Sequence, residues 1–172
     1  MKILVACEMS GIVRDAFRAK GHDAWSCDVL PCERDAQWHK QTDVRNLLAG
    51  ALCKSWMGFS WWDMIIAFPP CTHLASSGAA HFAAKRADGR QLEGINFFRL
   101  FTNTDCPRVC IEDPVGIMST LYRKPDQIIQ PYQFGHAESK KTCFWLTGLP
   151  KRTPTKIVEP SFYTLPDGTV YR

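Results

Sequence analysis

The order of apolar runs along these 172 residues predicts an α/β domain with a doubly wound, mostly parallel sheet. Three observations carry that expectation. The chain opens strand–helix–strand. Three later apolar runs, at residues 62–68, 108–112 and 142–146, have the length and composition of strands buried on both faces. Acids, prolines and small residues gather where those runs end, and in open α/β sheets that is where ligands bind.

Each element has its own warrant. Residues 2–7, KILVAC, form a short β-branched run that stops at Glu8-Met9-Ser10-Gly11. Ile12, Val13, Ala16, Phe17 and Ala19 then recur at helical spacing, and Lys20-Gly21 supplies the basic residue and glycine that end a helix well. HDAWSCDV reads as a second strand closing at Asp28. VRNLLAGAL reads as a helix behind Asp43, and WDMIIAF as a strand halted by Pro69-Pro70. QLEGINFFRLF is helical, with Leu92, Ile95, Phe98, Leu100 and Phe101 on one broad face. RVCIE and TCFWL complete the strands. Residues 1–149 therefore read as one domain, and 150–172, rich in proline, threonine and lysine without periodicity, as an extended tail.

Composition narrows the class. The chain is 45% hydrophobic with a net charge of +4, mildly favourable to an anionic partner or cofactor and far from histone-like. No secretory leader opens it and no run approaches a membrane span, so a reducing cytoplasm is expected. The eight cysteines then read as thiols. The pairs Cys27-x4-Cys32 and Cys106-x3-Cys110 lack the tight flanks of a zinc knuckle, so no metal is expected.

The sharpest motif is AFPPCTHLASSG, residues 67–78. A buried strand delivers two prolines that ask for no amide donors, and then presents Cys71 on a loop at the sheet edge. CIEDPVG repeats the geometry with Glu112-Asp113-Pro114. YQFGHAESKKTCFWLTGLP places a tyrosine–glycine turn, a basic stretch and a strand in sequence. In this order and direction the three segments resemble the catalytic half of cytosine-C5 DNA methyltransferases. In that family a strand leads to a Pro-Cys pair, a second strand leads to Glu-Asn-Val, and a basic segment precedes a further strand. The resemblance spans residues 2–149 and implies a Rossmann-like fold of the S-adenosylmethionine-dependent type.

The resemblance also assigns roles. Cys71 would be the nucleophile at cytosine C6 and Glu112 the acid that activates the ring. Lys140 or Lys141 would be the cation near O2. S-adenosylmethionine would lie against Glu8, Ser10 and Gly11 of the first turn, Asp28 on the ribose, Asp43 toward the adenine amine, and Pro69. Asp28 falls about 20 residues after the turn, as ribose-binding acids do. Asp43 reads equally as a helix N-cap, Glu112 as a solvated strand-end acid, and Lys140 with Lys141 as an exposed basic turn. The aromatic group Trp56, Phe59, Trp61 and Trp62 is either a base-stacking surface or a packing patch.

The pattern also departs from the family. One glycine remains in the first turn, with Met9 and Ser10 in glycine-rich territory. Thr72 follows the cysteine and Asp113 follows the glutamate. About two dozen residues follow the last match, too few for a target-recognition domain, as in compact phage or prophage versions of the fold. The expected substrate is DNA, read with a partner subunit or a second copy of the chain. A free cytosine nucleotide, or a silent nucleotide-binding role, would suit the same pocket.

Overall fold

The computed structural model describes residues 1–52 and 62–161, with the backbone of 163–164 and 170–171. The elements are β1 Lys2–Ala6, α1 Ile12–Arg18, β2 Asp23–Asp28, β3 His39–Gln41, α2 Val44–Leu52, β4 Met64–Ala67, α3 Phe82–Ala87 and α4 Arg90–Thr102. They continue as β5 Val109–Pro114, α5 Met118–Leu121, β6 Gln127–Ile129, β7 Thr142–Thr147, β8 Tyr163–Thr164 and β9 Val170–Tyr171. Seven strands make one sheet in the order β3-β2-β1-β4-β5-β7-β6, while β8 and β9 pair separately. The first five are parallel, and β7 runs antiparallel to β5 and β6. The result is a mixed α/β, mostly parallel sheet, consistent with the Rossmann-like expectation. The strand order reverses between β1 and β4, which opens a crevice beyond their carboxyl ends.

Strand alternation sends the core to both faces of this sheet. Leu4, Ala6, Ile65 and Ile111 face one side, with Phe98 and Phe101 of α4 and the half-buried Leu47 and Leu48 of α2. Ile3, Val5, Met64, Ile66 and Cys110 face the other, against Val13 and Phe17 of α1. Trp145 of β7 is fully buried, edge-on to Phe98 at 5.2 Å, and its indole N–H donates to the Arg123 carbonyl at 2.8 Å.

The helical faces differ from the apolar spacing. Ile12, Ala16 and Ala19 lie outward, while Arg14 is the fully buried residue of α1. On α4 the inward positions are Gln91, Phe98 and Phe101, and Leu92 is 60% exposed. In both helices a polar residue with a buried partner displaces an apolar one from the packed stripe. The short β3, β6 and α3 carry too few residues for a periodic signal. Trp56, Phe59 and Trp61 lie outside the described residues. Trp62 packs half-buried against the core, and its carbonyl accepts from the Cys106 thiol at 3.2 Å. Residues 150–161 are extended but stitched to the sheet edge. The Arg152 amide donates to the Gln127 side chain at 2.6 Å, and the Val158 amide to the Tyr132 carbonyl at 2.9 Å.

Among the described residues no helix is long and apolar enough to cross a membrane, and no three His, Cys, Asp or Glu side chains gather as metal ligands.

Trp145→Phe removes the indole donor from the fully buried side chain and leaves the part-buried Arg123 carbonyl without that bond. A loss of about 2 kcal/mol is expected in urea unfolding, read as a lower midpoint with unchanged slope.

Candidate active site

Pro69 and Pro70 carry the chain out of β4 without any amide donor to satisfy, and Cys71 comes next, half-buried rather than sealed in the core. The loop is then pinned at three consecutive carbonyls. That of Cys71 accepts from the Leu74 and Ala75 amides, both at 2.9 Å. The buried Lys85 of α3 donates to the Thr72 carbonyl at 2.6 Å, and the buried Gln91 of α4 to the His73 carbonyl at 3.3 Å.

The same loop is zipped to the loop leaving β5. The Ile117 amide donates to the Leu74 carbonyl at 3.0 Å. The Ser76 amide and hydroxyl both reach the Val115 carbonyl, at 2.9 and 2.8 Å. Gly116 is required at this seam, because a Cβ there would land on the Leu74 carbonyl. Adjacent parallel strands β4 and β5, joined in this way, bring the Cys71 and Glu112 loops to one edge.

Electrostatics show that the groups share a neighbourhood. Burial pushes the Cys71 thiol up from its ordinary value; the charges of Asp113 and Glu112 add to the push and Lys140 opposes it. Burial also raises Glu112, again against Lys140. Both lysines are exposed, and Lys140 is the one whose charge reaches both groups.

Asp113 is 1% exposed, and neither of its oxygens has a hydrogen-bond partner among the described residues. Burial, then Glu112, lifts it to about 7. It pairs in register with Cys143 of β7, whose thiol is raised by burial and by Asp113. Sequence reasoning treated Asp113 only as a departure from an asparagine. It missed Lys85 and Gln91 altogether, because a lysine in FAAKRA reads as solvated.

The second half of the site lies at the ends of β1 and β2. Cys7 turns through φ 58 and Gly11 through φ 71, and a Cβ on Gly11 would sit 2.6 Å from the Arg14 guanidinium. Glu8 is buried. Its Oε1 accepts from the Ser10 hydroxyl at 2.7 Å and the Val13 amide at 3.1 Å, while Oε2 is buried with no partner among the described residues.

Asp28 accepts from the Leu30 amide at 2.9 Å, ahead of two exposed apolar side chains, Val29 and Leu30. Asp43 accepts from the Arg45 amide at 2.8 Å, as a cap of α2 does, and the Arg45 guanidinium holds its carboxyl below the usual range. Burial, then Asp28, Cys27 and Asp43, drives the Cys7 thiol to about 12. Glu8, Ser10, Gly11, Asp28 and Asp43 therefore line one region. A buried carboxylate oxygen without a partner, two acids and exposed apolar side chains suit a nucleoside with hydroxyls and an amine to donate.

No family model and no curated protein sequence matches the chain. In fold it is similar to a crystal structure described as a DNA modification methyltransferase encoded within an E. coli prophage. The two share 18% identity with a TM-score of 0.55, over 92% of this chain and 52% of the other. The chain thus spans about half the length of that neighbour.

The buried seam has two consequences. Asp113 prefers its proton in the folded state, so its contribution to stability is complete below its unfolded value of 3.8 and is lost as the pH rises toward about 7. Thermal melts between pH 4 and 8 should show a loss on the order of 2–4 kcal/mol in the wild type that Asp113→Asn does not share. Gly116→Ala should force the two loops apart, costing about 2–3 kcal/mol in urea unfolding and speeding alkylation of Cys71, monitored by mass spectrometry of its peptide.

Proposed function

We propose that this chain is the catalytic core of an S-adenosylmethionine-dependent methyltransferase acting on C5 of cytosine in DNA. The observation that carries the reading is the hydrogen-bonded seam that ties the loop bearing Cys71 to the end of the neighbouring strand bearing Glu112, with Lys140 close enough to oppose the rise of both groups. The fold likeness to a DNA modification methyltransferase supports it.

The residues divide the work. Cys71, once deprotonated, adds to C6 of the ring and its sulfur–carbon bond pushes an electron pair toward C5. Glu112, kept protonated more readily by burial, donates to N3 and offsets the charge that builds in the ring. Lys140 stabilises the same charge at O2 and counters the acids that hold the thiol up. Bound S-adenosylmethionine supplies an electrophilic methyl group for C5. Solvent water then takes the C5 proton, the electron pair of that bond re-forms the C5–C6 double bond, and the C6–sulfur bond breaks with its pair returning to Cys71 as thiolate, which restores the aromatic ring. Glu8, Ser10, Gly11, Asp28, Asp43 and Pro69 are the residues that would hold that cofactor. A duplex substrate must have its target base flipped out of the stack, and the exposed edge of the site leaves Cys71 open to such a base.

Incubation with a 5-fluorocytosine oligonucleotide and cofactor tests the reading, because the fluorine cannot leave as a proton does and the adduct is trapped. The wild type should form a covalent complex visible on a denaturing gel, and Cys71→Ser none. Duplex, single-stranded and mononucleotide arms distinguish DNA from a free nucleotide, and no adduct in any arm removes the proposal.

A further inference from the structure

Arg14 is the largest polar side chain sealed among the described residues, at 0% exposure. Burying a guanidinium costs several kcal/mol unless its donors are used, and an apolar residue on the packed side of α1 would cost less. Its Nε donates to Asp15 at 2.8 Å, and Nη1 donates to the Ser26 hydroxyl at 3.0 Å and the Cys32 sulfur at 3.4 Å. Ser26 is itself fully buried in β2, and its Oγ lies 2.9 Å from Nδ1 of His39, the first residue of β3. Nε2 of His39 lies 3.1 Å from the Leu30 carbonyl.

Donor bookkeeping fixes the direction of every link. A guanidinium only donates, so Ser26 Oγ accepts from Arg14. The Leu30 carbonyl can only accept, so Nε2 of His39 carries a proton and donates to it; Nδ1 of the neutral ring then accepts the hydroxyl hydrogen of Ser26.

Both ends of this chain of bonds reach the segments that leave β1 and β2. At one end Nη2 of Arg14, buried and without a partner among the described residues, lies where it leaves no room for a side chain on Gly11. At the other, Leu30 comes two residues after Asp28, with its side chain 50% exposed while its carbonyl is held from behind. The same two segments are tied on the outside, where the Glu33 amide donates to the Met9 carbonyl at 3.0 Å. A turn and a loop from different strands are thus set at a fixed separation by one buried hydrogen-bond chain.

We propose that Arg14, Ser26 and His39 are positioning residues that set the Gly11 and Leu30 edges of the adenosine pocket, acting through the Gly11 turn and the Leu30 carbonyl rather than by touching the cofactor. The inference rests on the reading of that region as the cofactor site. Histidine at position 39 matters for its reach: glutamine extends an N–H to the Nε2 position, whereas asparagine stops at the Nδ1 position.

The test uses S-adenosylhomocysteine as the probe, with titration calorimetry on the full chain and amide exchange of residues 28–33 without ligand. Ser26→Ala and His39→Asn should weaken binding about tenfold or more and speed exchange in that loop. His39→Gln should stay within about threefold of the wild type in affinity. Affinity within twofold of the wild type in folded Ser26→Ala and His39→Asn overturns the proposal while leaving the pocket reading intact. So does equal weakening in His39→Asn and His39→Gln, which a merely structural role would give. A wild type that takes up no S-adenosylhomocysteine overturns the pocket reading, and this inference with it.

Discussion

Where β4 and β5 end, two loops run side by side and share their backbone polar groups. The Leu74 carbonyl meets the Ile117 amide, the Ser76 amide meets the Val115 carbonyl, and Gly116 lets the chains approach where any side chain would collide. The geometry of the candidate site depends on this seam. Parallel strands deliver their ends to the same edge, but strand pairing stops at Ala67 and Ile111. Beyond that point Glu112 is still held by pairing with Phe144 of β7, and the seam, with Lys85 and Gln91 bracing it from the helices, ties the Cys71 loop to it.

The seam also explains the electrostatics behind it. Two acids adjacent in sequence point to opposite sides of β5, so Glu112 remains partly open while Asp113 is sealed against β7. Ionising both would place like charges next to each other in a poorly solvated layer, and the sealed one gives way, rising to about 7. Near neutrality Asp113 thus carries only part of a negative charge, which limits its repulsion of a thiolate at Cys71. Lys140 works in the same direction from just before β7.

The sheet was readable in the sequence because its strands are buried runs with punctuated ends. KILVAC, HDAWSCDV, WDMIIAF, RVCIE and TCFWL each overlap a strand to within one or two residues. The residues at those ends were readable too, since Pro-Pro and Glu-Asp-Pro stop a strand and bring the next side chains to the surface. Polar groups whose meaning depends on a distant partner stayed hidden. The apolar spacing of the first helix says nothing of Arg14, which is sealed because Ser26 and Cys32 come to meet it from β2 and the loop after it. Lys85 and Gln91 were invisible for the same reason, as their acceptors are backbone carbonyls that periodicity does not record. The outward turn of Ile12 and Leu92 results from those inward polar residues.

The two halves of the crevice are built on different principles. At the ends of β1, β2 and β3 the backbone is held by buried side chains, with Arg14, Ser26 and His39 behind it and Glu8 within it. At the ends of β4 and β5 it is held mainly by backbone meeting backbone. A turn supported by side chains from behind asks little of its own conformation, and between residues 7 and 11 one glycine at position 11 and a left-handed Cys7 suffice. The Cys71 loop has no such substitute. Its position depends on Gly116 and on the carbonyls that Lys85 and Gln91 hold.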